Sequence, residues 1–125
     1  MSGWVWVPLK ALHVVHDRQI ARHGGRAGLR DGASLEMGCA RAMNPAAYGD
    51  PDAFDIAAAY AFGIAKAHAF VDGNRRTAFV AAFTFLRLSG EPLRPAPEAG
   101  LRMMEDLASG AVGEAEFAAW LRSMR

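Results

Sequence analysis

The stretch His68-Ala-Phe-Val-Asp-Gly-Asn-Arg-Arg-Thr77 runs directly into an apolar segment, residues 78–88, and it decides the fold. Its Asp72-Gly73-Asn74 turn stands immediately before a helix, so the first backbone N–H groups of that helix face the turn without partners. Such a helix start binds anions. Arg75 and Arg76 oppose the helix dipole there, which is favourable chiefly when an anionic ligand lies between them. The stretch therefore predicts an anion site at the start of a helix.

Two helices are expected to flank this turn. Upstream, residues 53–70 are rich in alanine and place apolar side chains on one face, so this helix should deliver His68 to the turn. Downstream, residues 75–89 are apolar nearly all round, and Gly90 ends them. A helix of that composition is typical of one enclosed by others. We therefore expect helix 75–89 to be the centre of a bundle.

The rest of the chain predicts a single all-α domain over residues 1–125, with about six helices. Residues 24–32 contain too many glycines for regular structure and should form a loop or a small flap. Residues 44–52 contain several turn formers and should form a loop. The other predicted helices span residues 8–23, 33–42, 97–108 and 114–123.

Composition argues against several functional classes. The net charge is only +1, and the 14 basic residues form no block, which argues against a nucleic-acid surface. The single cysteine, Cys39, fits a reducing compartment. No apolar run approaches the roughly 20 residues of a membrane span, and no leader pattern stands at the start. We therefore expect a cytoplasmic protein that contacts neither membrane nor nucleic acid.

The residues of the turn indicate a chemistry. His68 is suited to accept a proton near neutral pH. Asp72 is a hard oxygen ligand that could hold Mg²⁺, which usually takes one or two carboxylates together with substrate phosphates. Arg75, Arg76 and the N–H groups from Gly73 onward could hold those phosphates. A base, a metal ligand and a phosphate clamp together predict phosphoryl or nucleotidyl transfer.

Each of these signals has a plainer explanation. A lone histidine on an apolar face is more often a core residue, Asp-Gly-Asn is a common helix–helix turn, and paired arginines are usually solvated. The functional interpretation rests on their occurrence together within ten residues. His13, His16 and Asp17 have a spacing that could bind a metal, but ordinary packing on a helix face is the favoured interpretation.

The motif His68-Ala-Phe-Val-Asp-Gly-Asn-Arg-Arg-Thr-Ala78 resembles that of the Fic/Doc family, and its flanks resemble the Doc (death-on-curing) branch in particular. The resemblance covers nearly the whole chain. The flanking segments that carry it are residues 16–20, 23–25, 28–31, 58–64, 78–79 and 85–88.

This resemblance implies a Fic-type helical bundle with a small glycine-rich flap, acting as the toxin of a toxin–antitoxin pair. The wider family transfers AMP from ATP to a protein hydroxyl, whereas the Doc branch phosphorylates elongation factor Tu and stops translation. By position, His68 would deprotonate the target hydroxyl and Asp72 would hold Mg²⁺. The implied ATP-binding residues are Gly73, Asn74, Arg75 and Arg76, with Lys66 as an additional basic residue near the site.

Departures from the AMP-transferring pattern favour kinase chemistry. Those members have a further Gly where Arg75 stands, which leaves an open cradle, and an Arg where Phe79 stands. The Doc branch has a basic residue at the first position. Gly73 points the other way, because the Doc prototype has Ala there. AMP transfer is therefore the alternative, and a degenerate Fic domain that only binds ATP or an antitoxin is the third interpretation.

The resemblance also implies regulation by a partner. None of the Ser or Thr residues has a Glu four positions later, so the chain lacks the inhibitory helix of some Fic proteins. Inhibition should then come from a Phd-type antitoxin whose tail folds as a helix in an apolar groove. Trp4, Trp6 and Met103-Met104 could form such a surface, although a place in the core is the favoured interpretation for them.

Overall fold

A computed structural model describes residues 3–125 and confirms an all-α fold. Within this range the sole β pairing is an isolated bridge, and no helix is both long and apolar enough to cross a membrane. The helices are α1 (Leu9–His23), α2 (Gly32–Arg41), α3 (Asn44–Tyr48), α4 (Ala53–Ala67), α5 (Asn74–Leu88), α6 (Pro97–Ser109) and α7 (Glu114–Ser123).

Two boundaries differ from those expected. Residues 44–52 are not all loop, because the short helix α3 forms at their start. Pro45 lies in its first turn, where a proline ring is already set for helical geometry, and two alanines follow. Helix α4 ends at Ala67 rather than residue 70, because His68 leaves the helix in a left-handed conformation.

The central helix is α4, so the expectation that α5 holds this position was wrong. Helix α4 contacts α2, α3, α5, α6 and α7, and most of its residues are buried. Its alanines and Gly63 allow neighbouring backbones to approach closely: a Cβ atom on Gly38 of α2 would lie 2.6 Å from the Gly63 carbonyl oxygen. In contrast, α5 turns Phe79 and Phe83 towards an open cavity. An apolar surface on all sides of a helix therefore did not indicate burial on all sides.

The N-terminal segment lies against the core in an extended conformation. Trp4 and Trp6 both pack against Phe85, with ring centroids 5.8 and 6.0 Å away. Val7 is buried, and its N–H donates to the Tyr60 hydroxyl at 3.0 Å. Burial raises the pKa of that hydroxyl to about 12. These contacts support the core interpretation of the two tryptophans.

The start of α4 is capped by the carboxylates of Asp52 and Asp55. Asp52 accepts from the N–H of Asp55 at 2.9 Å, and the Asp55 carboxylate accepts from the N–H of Asp52 at 3.0 Å. Arg122 of α7 donates to both carboxylates, at 2.8 Å to Asp52 and 3.0 Å to Asp55. This capping box satisfies the first N–H groups of the helix within the protein itself.

Candidate functional site

His68 stands at the end of α4 in a strained conformation. Its φ of 48° is left-handed, and no other non-glycine residue in the described chain has a positive φ. Such a conformation costs roughly 1–2 kcal/mol for a residue with a side chain. The guanidinium of Arg30 donates to the His68 carbonyl at 2.7 Å. The turn takes the chain sharply out of α4 and leaves the imidazole exposed in a cavity.

The glycine-rich flap lies against the loop that follows His68. The N–H groups of Arg30 and Asp31 both donate to the Ala69 carbonyl, at 2.6 and 2.9 Å. The N–H of Val71 donates to the Gly28 carbonyl at 3.0 Å. These bonds run beside the isolated antiparallel bridge between residues 29 and 70. The predicted flap is confirmed, and it fixes the backbone of the loop.

Asp72 is held as a carboxylate by backbone N–H groups. Arg26 of the flap donates to Oδ2 at 3.2 Å, and Gly73 donates to Oδ1 at 2.9 Å. These bonds hold the pKa of Asp72 below its ordinary value, and the charge of Arg76 acts in the same direction. Gly25 has a φ of +115°, and a Cβ atom there would lie 2.8 Å from Oδ2. Only glycine lets the flap approach the carboxylate so closely.

Asn74 ties the loop to the start of α5. Its Oδ1 accepts from the Phe70 N–H at 3.0 Å, and its Nδ2 donates to the Phe70 carbonyl at 2.9 Å. The carboxamide therefore accepts one hydrogen bond from the Phe70 backbone and donates another to it. Sequence analysis expected this side chain to help fix phosphates, and the structure gives it a different set of partners.

The start of α5 carries cations and no side-chain cap. Gly73 is the N-cap residue with a left-handed φ of 78°, and no side chain accepts from the first turn. Arg75 and Arg76 are both exposed. Arg76 also donates to the Gly24 carbonyl at 3.3 Å, which links α5 to the flap. The first N–H groups therefore remain available to a ligand between two guanidinium groups.

A cavity of about 540 Å³ brings these groups together. Six of the seven expected site residues line it: His68, Asp72, Gly73, Asn74, Arg75 and Arg76. Lys66 is not among the lining residues, although it bonds to one of them, Ala108. Its ammonium group donates to the Ala108 carbonyl at 2.8 Å, because the last turn of α4 packs beside the end of α6.

Sequence analysis missed His16 and Arg30, the residues that bond to the loop backbone from a distance. His16 Nε2 lies 2.8 Å from the Asp72 carbonyl oxygen. Both residues belong to segments that carry the family resemblance, which was a usable signal, but nothing local in the sequence gave them a role. Among the described residues, no three His, Cys, Asp or Glu side chains are grouped to hold a metal. His13 and His16 instead pack against Phe70, in keeping with the packing interpretation that the sequence favoured.

The site combines a strained histidine, a carboxylate and an open helix start with two arginines. These groups are suited to binding phosphate, and they define a helical protein with a candidate phosphate site. Comparison with known proteins identifies the family. The model of the Fic/DOC family matches residues 6–86. The chain therefore belongs to the Fic/Doc family, and its relatives place it on the Doc toxin branch.

Two curated relatives carry Doc names. The protein kinase Doc of Escherichia phage P1 is 36% identical over 101 residues, which are 80% of this chain and 76% of that protein. Toxin Doc of Mycolicibacterium smegmatis is 42% identical over 73 residues, 56% of this chain and 55% of that protein. The chain thus spans about half the length of the mycobacterial relative that it matches.

Proposed function

We propose that this protein is a toxin that transfers the γ-phosphate of ATP to a serine or threonine hydroxyl of elongation factor Tu and so inhibits translation. The observation that carries the proposal is the pair Arg75 and Arg76 at the open start of α5, in one cavity with His68 and Asp72. The name of the phage P1 relative, a protein kinase, supports the same reaction.

In the proposed reaction His68 accepts the proton of the target hydroxyl. The hydroxyl oxygen then attacks the γ-phosphorus, the new P–O bond forms as the bond to the β-phosphate oxygen breaks, and ADP leaves. Arg75, Arg76 and the first N–H groups of α5 hold the phosphate oxygens and offset the charge that develops on them. Gly73 allows the left-handed turn that presents those N–H groups.

Asp72 is the residue that would hold Mg²⁺. Asp72 is ionised at neutral pH, its pKa lies below the ordinary value, and it offers a hard oxygen ligand next to His68 and the two arginines; Glu105 of α6 is a second carboxylate in the lining of the same cavity. The described residues offer no fuller ligand set, which fits a cation that shares its coordination between one carboxylate, water and ATP phosphates. The metal, when bound, supplies charge neutralisation between the phosphates.

Phe79 supports phosphate transfer over AMP transfer. Its ring packs against Phe83 with centroids 4.5 Å apart and closely approaches Gly100. Both phenyl rings line a second cavity rather than the one that contains His68. The position at which AMP-transferring relatives would supply an arginine therefore lies outside the cavity that contains His68 and Asp72.

Labelled ATP tests the reaction. The purified protein is incubated with elongation factor Tu and either γ- or α-labelled ATP, and the label on the factor is measured. We expect label from the γ position alone, with a loss of about 100- to 10,000-fold in His68→Ala, because a positioned base contributes that much. His13→Ala is the matched control, since His13 lies outside both cavities.

The other outcomes identify the alternatives. Label from the α position alone would overturn the kinase proposal in favour of AMP transfer. Growth arrest that persists in His68→Ala would indicate a binding module. Arg75→Gly should weaken γ-phosphate transfer, and undiminished transfer would contradict the role given to Arg75.

We further propose that a cognate antitoxin of Phd type inhibits this toxin, with an acidic amphipathic segment in the second cavity. This groove has a volume of about 690 Å³ and is lined by α5, α6, the segment between them and the end of α1. Its apolar lining includes Phe79, Val80, Phe83, Leu93 and Leu101. Its lining contains no acidic side chain and four arginines: Arg75, Arg76, Arg87 and Arg94.

A peptide-binding experiment tests the groove. The probe is a synthetic peptide of the C-terminal tail of the antitoxin encoded beside this gene, and binding is measured by calorimetry. Phe83→Ser should weaken binding by at least tenfold, because it removes apolar surface from the groove. Leu88→Ser is the control, since Leu88 is also an exposed apolar residue of α5 but lies outside the groove. Equal losses in both variants would place the antitoxin elsewhere.

We place the action of the protein in the cytoplasm, where translation factors work. Fluorescence of a tagged His68→Ala variant in living cells checks this, and a signal confined to the membrane would contradict it.

A further inference from the structure

His16 lies on α1, beneath the loop that carries Asp72. Only 2% of its surface is exposed. Nε2 lies 2.8 Å from the Asp72 carbonyl oxygen, and since that oxygen can only accept, Nε2 carries the proton and donates it. The imidazole is also stacked on Phe70, with centroids 3.8 Å apart and 7° between the planes. A hydrogen bond and a stacking contact therefore fix the ring against the loop.

The bonded carbonyl belongs to the peptide group that joins Asp72 to Gly73. The N–H of the same peptide group donates to Oδ1 of Asp72 at 2.9 Å. Because a peptide group is planar, its carbonyl and its N–H turn together. Rotation of this peptide would break the bond to His16 and the bond to the carboxylate at once. The orientation of the Asp72 carboxylate is thus linked to the imidazole through one rigid plane.

Packing alone does not require a histidine at this position. Phenylalanine would also stack on Phe70 and would bury no polar atom, whereas a buried imidazole without a partner is unfavourable. His13, one turn earlier on α1, touches Phe70 edge-on with centroids 5.9 Å apart. In the described structure the His13 imidazole makes no hydrogen bond to the loop. Two histidines therefore contact the Phe70 ring, and of these two His16 bonds to the Asp72–Gly73 peptide.

We propose that His16 is a positioning residue that orients Asp72 towards the metal and phosphates of the site. It acts through the Asp72–Gly73 peptide and touches no reacting group. This inference rests on the proposed role of Asp72 as the metal ligand. Groups that hydrogen-bond behind a metal ligand set its orientation, and their loss costs about 10- to 100-fold in metal affinity or activity.

The experiment measures divalent-cation affinity without catalysis. Mn²⁺ is titrated, by electron paramagnetic resonance, into each variant in the presence of a non-hydrolysable ATP analogue. We expect His16→Phe to weaken Mn²⁺ binding about 10- to 100-fold. His16→Gln, whose amide can donate to the same carbonyl, should recover most of that loss, and His13→Phe should bind like the wild type. Wild-type affinity in His16→Phe, an equal loss in His13→Phe, or a wild type that binds no Mn²⁺ would overturn the proposal.

A second measurement needs no variant and holds even if His16→Phe does not fold. Nitrogen-15 NMR of the wild type should show His16 as the Nε2–H tautomer, with its proton in a hydrogen bond. The Nδ1–H tautomer would overturn the proposal. Failure of the kinase proposal is distinguishable, because it would appear as absent γ-phosphate transfer with the expected Mn²⁺ pattern intact.

Discussion

The helices α4 and α5 have the same length, 15 residues, and opposite kinds of N-terminus. At the start of α4, Asp52 and Asp55 cap the first N–H groups, and Arg122 neutralises the two carboxylates. At the start of α5 no side chain caps the helix, and two arginines stand where acidic residues would be favourable. The first start is completed by the protein, and the second is left open.

The two helix starts belong to one packed pair of helices, but we expect the start of α4 to contribute to stability and the start of α5 to contribute to function. A capped start stabilises the fold by about 0.5–2 kcal/mol. The open start lacks that contribution, its two arginines oppose the helix dipole, and its first N–H groups stay available to an anion. The α4 start should therefore respond to mutation in unfolding experiments, and the α5 start in binding and catalysis.

The largest expected effect comes from giving α5 a start like that of α4. Arg75→Glu should reduce γ-phosphate transfer by about 100-fold or more, because it replaces a phosphate-binding group with a repelling one. It should leave stability unchanged or raise it by about 0.3–1 kcal/mol, since an acidic residue suits the helix dipole. Transfer assays and urea unfolding measure the two effects.

Arg102→Glu makes the same change of charge on α6, outside both cavities, and serves as the control. If it lowered transfer as much as Arg75→Glu, the loss would reflect net charge rather than the helix start.

The next effect concerns the loop between the two helices. Asn74→Ala removes both side-chain bonds to Phe70 and should destabilise the protein by about 1–3 kcal/mol, because the buried backbone groups of Phe70 lose their partners. It should also lower transfer, since the loop carries Asp72. Hydrogen exchange at the Phe70 amide measures the loosening, and unchanged protection would contradict the role of Asn74.

Removing the cap of α4 should affect stability alone. Asp52→Ala should cost about 1 kcal/mol, which lowers the melting temperature by about 3–5 °C in a chain of this size. Calorimetry measures the shift, and γ-phosphate transfer at 25 °C should stay within about twofold of the wild type. A loss of transfer comparable to that of Arg75→Glu would show that the two helix starts are not separable.

The smallest effect is on pH dependence. The hydrogen bond from Arg122 holds the pKa of Asp52 below its ordinary value, so the ionised form is favoured in the folded state. The stability that Asp52 contributes is present above about pH 4 and is lost as the pH falls through the lowered pKa. The difference in unfolding free energy between the wild type and Asp52→Asn should therefore shrink from pH 7 to pH 3, and a constant difference would contradict this.

Much of this structure could be predicted from short stretches of the sequence. Turn residues, helix ends and apolar periodicity predicted six helices, the flap and six residues of the cavity. The contrast between the helix starts was also readable, because an N-cap Asp and a Gly-Asn-Arg-Arg start differ in the sequence itself. These features depend on residues within a few positions of one another.

The remaining errors come from contacts between distant residues. His16 reaches Asp72 across 56 positions, and the guanidinium of Arg30 reaches His68 across 38. The expected centre of the bundle was wrong because Phe79 and Phe83 resemble core residues, although they line a groove. The bond from Lys66 to Ala108 was not predicted, because a position two residues before His68 does not determine which neighbouring helix a side chain meets.

The close contact between Gly38 and Gly63 fixes the distance between α2 and α4. Helix α2 follows the flap directly, and Asp31 caps it through the Ser34 N–H at 3.1 Å. The separation of α2 from α4 therefore determines how far the flap stands from the carbonyl of Ala69. An added methyl group at this crossing would collide with the opposing backbone and force α2 away from α4, so two residues without any polar side chain hold the flap at its distance from the loop.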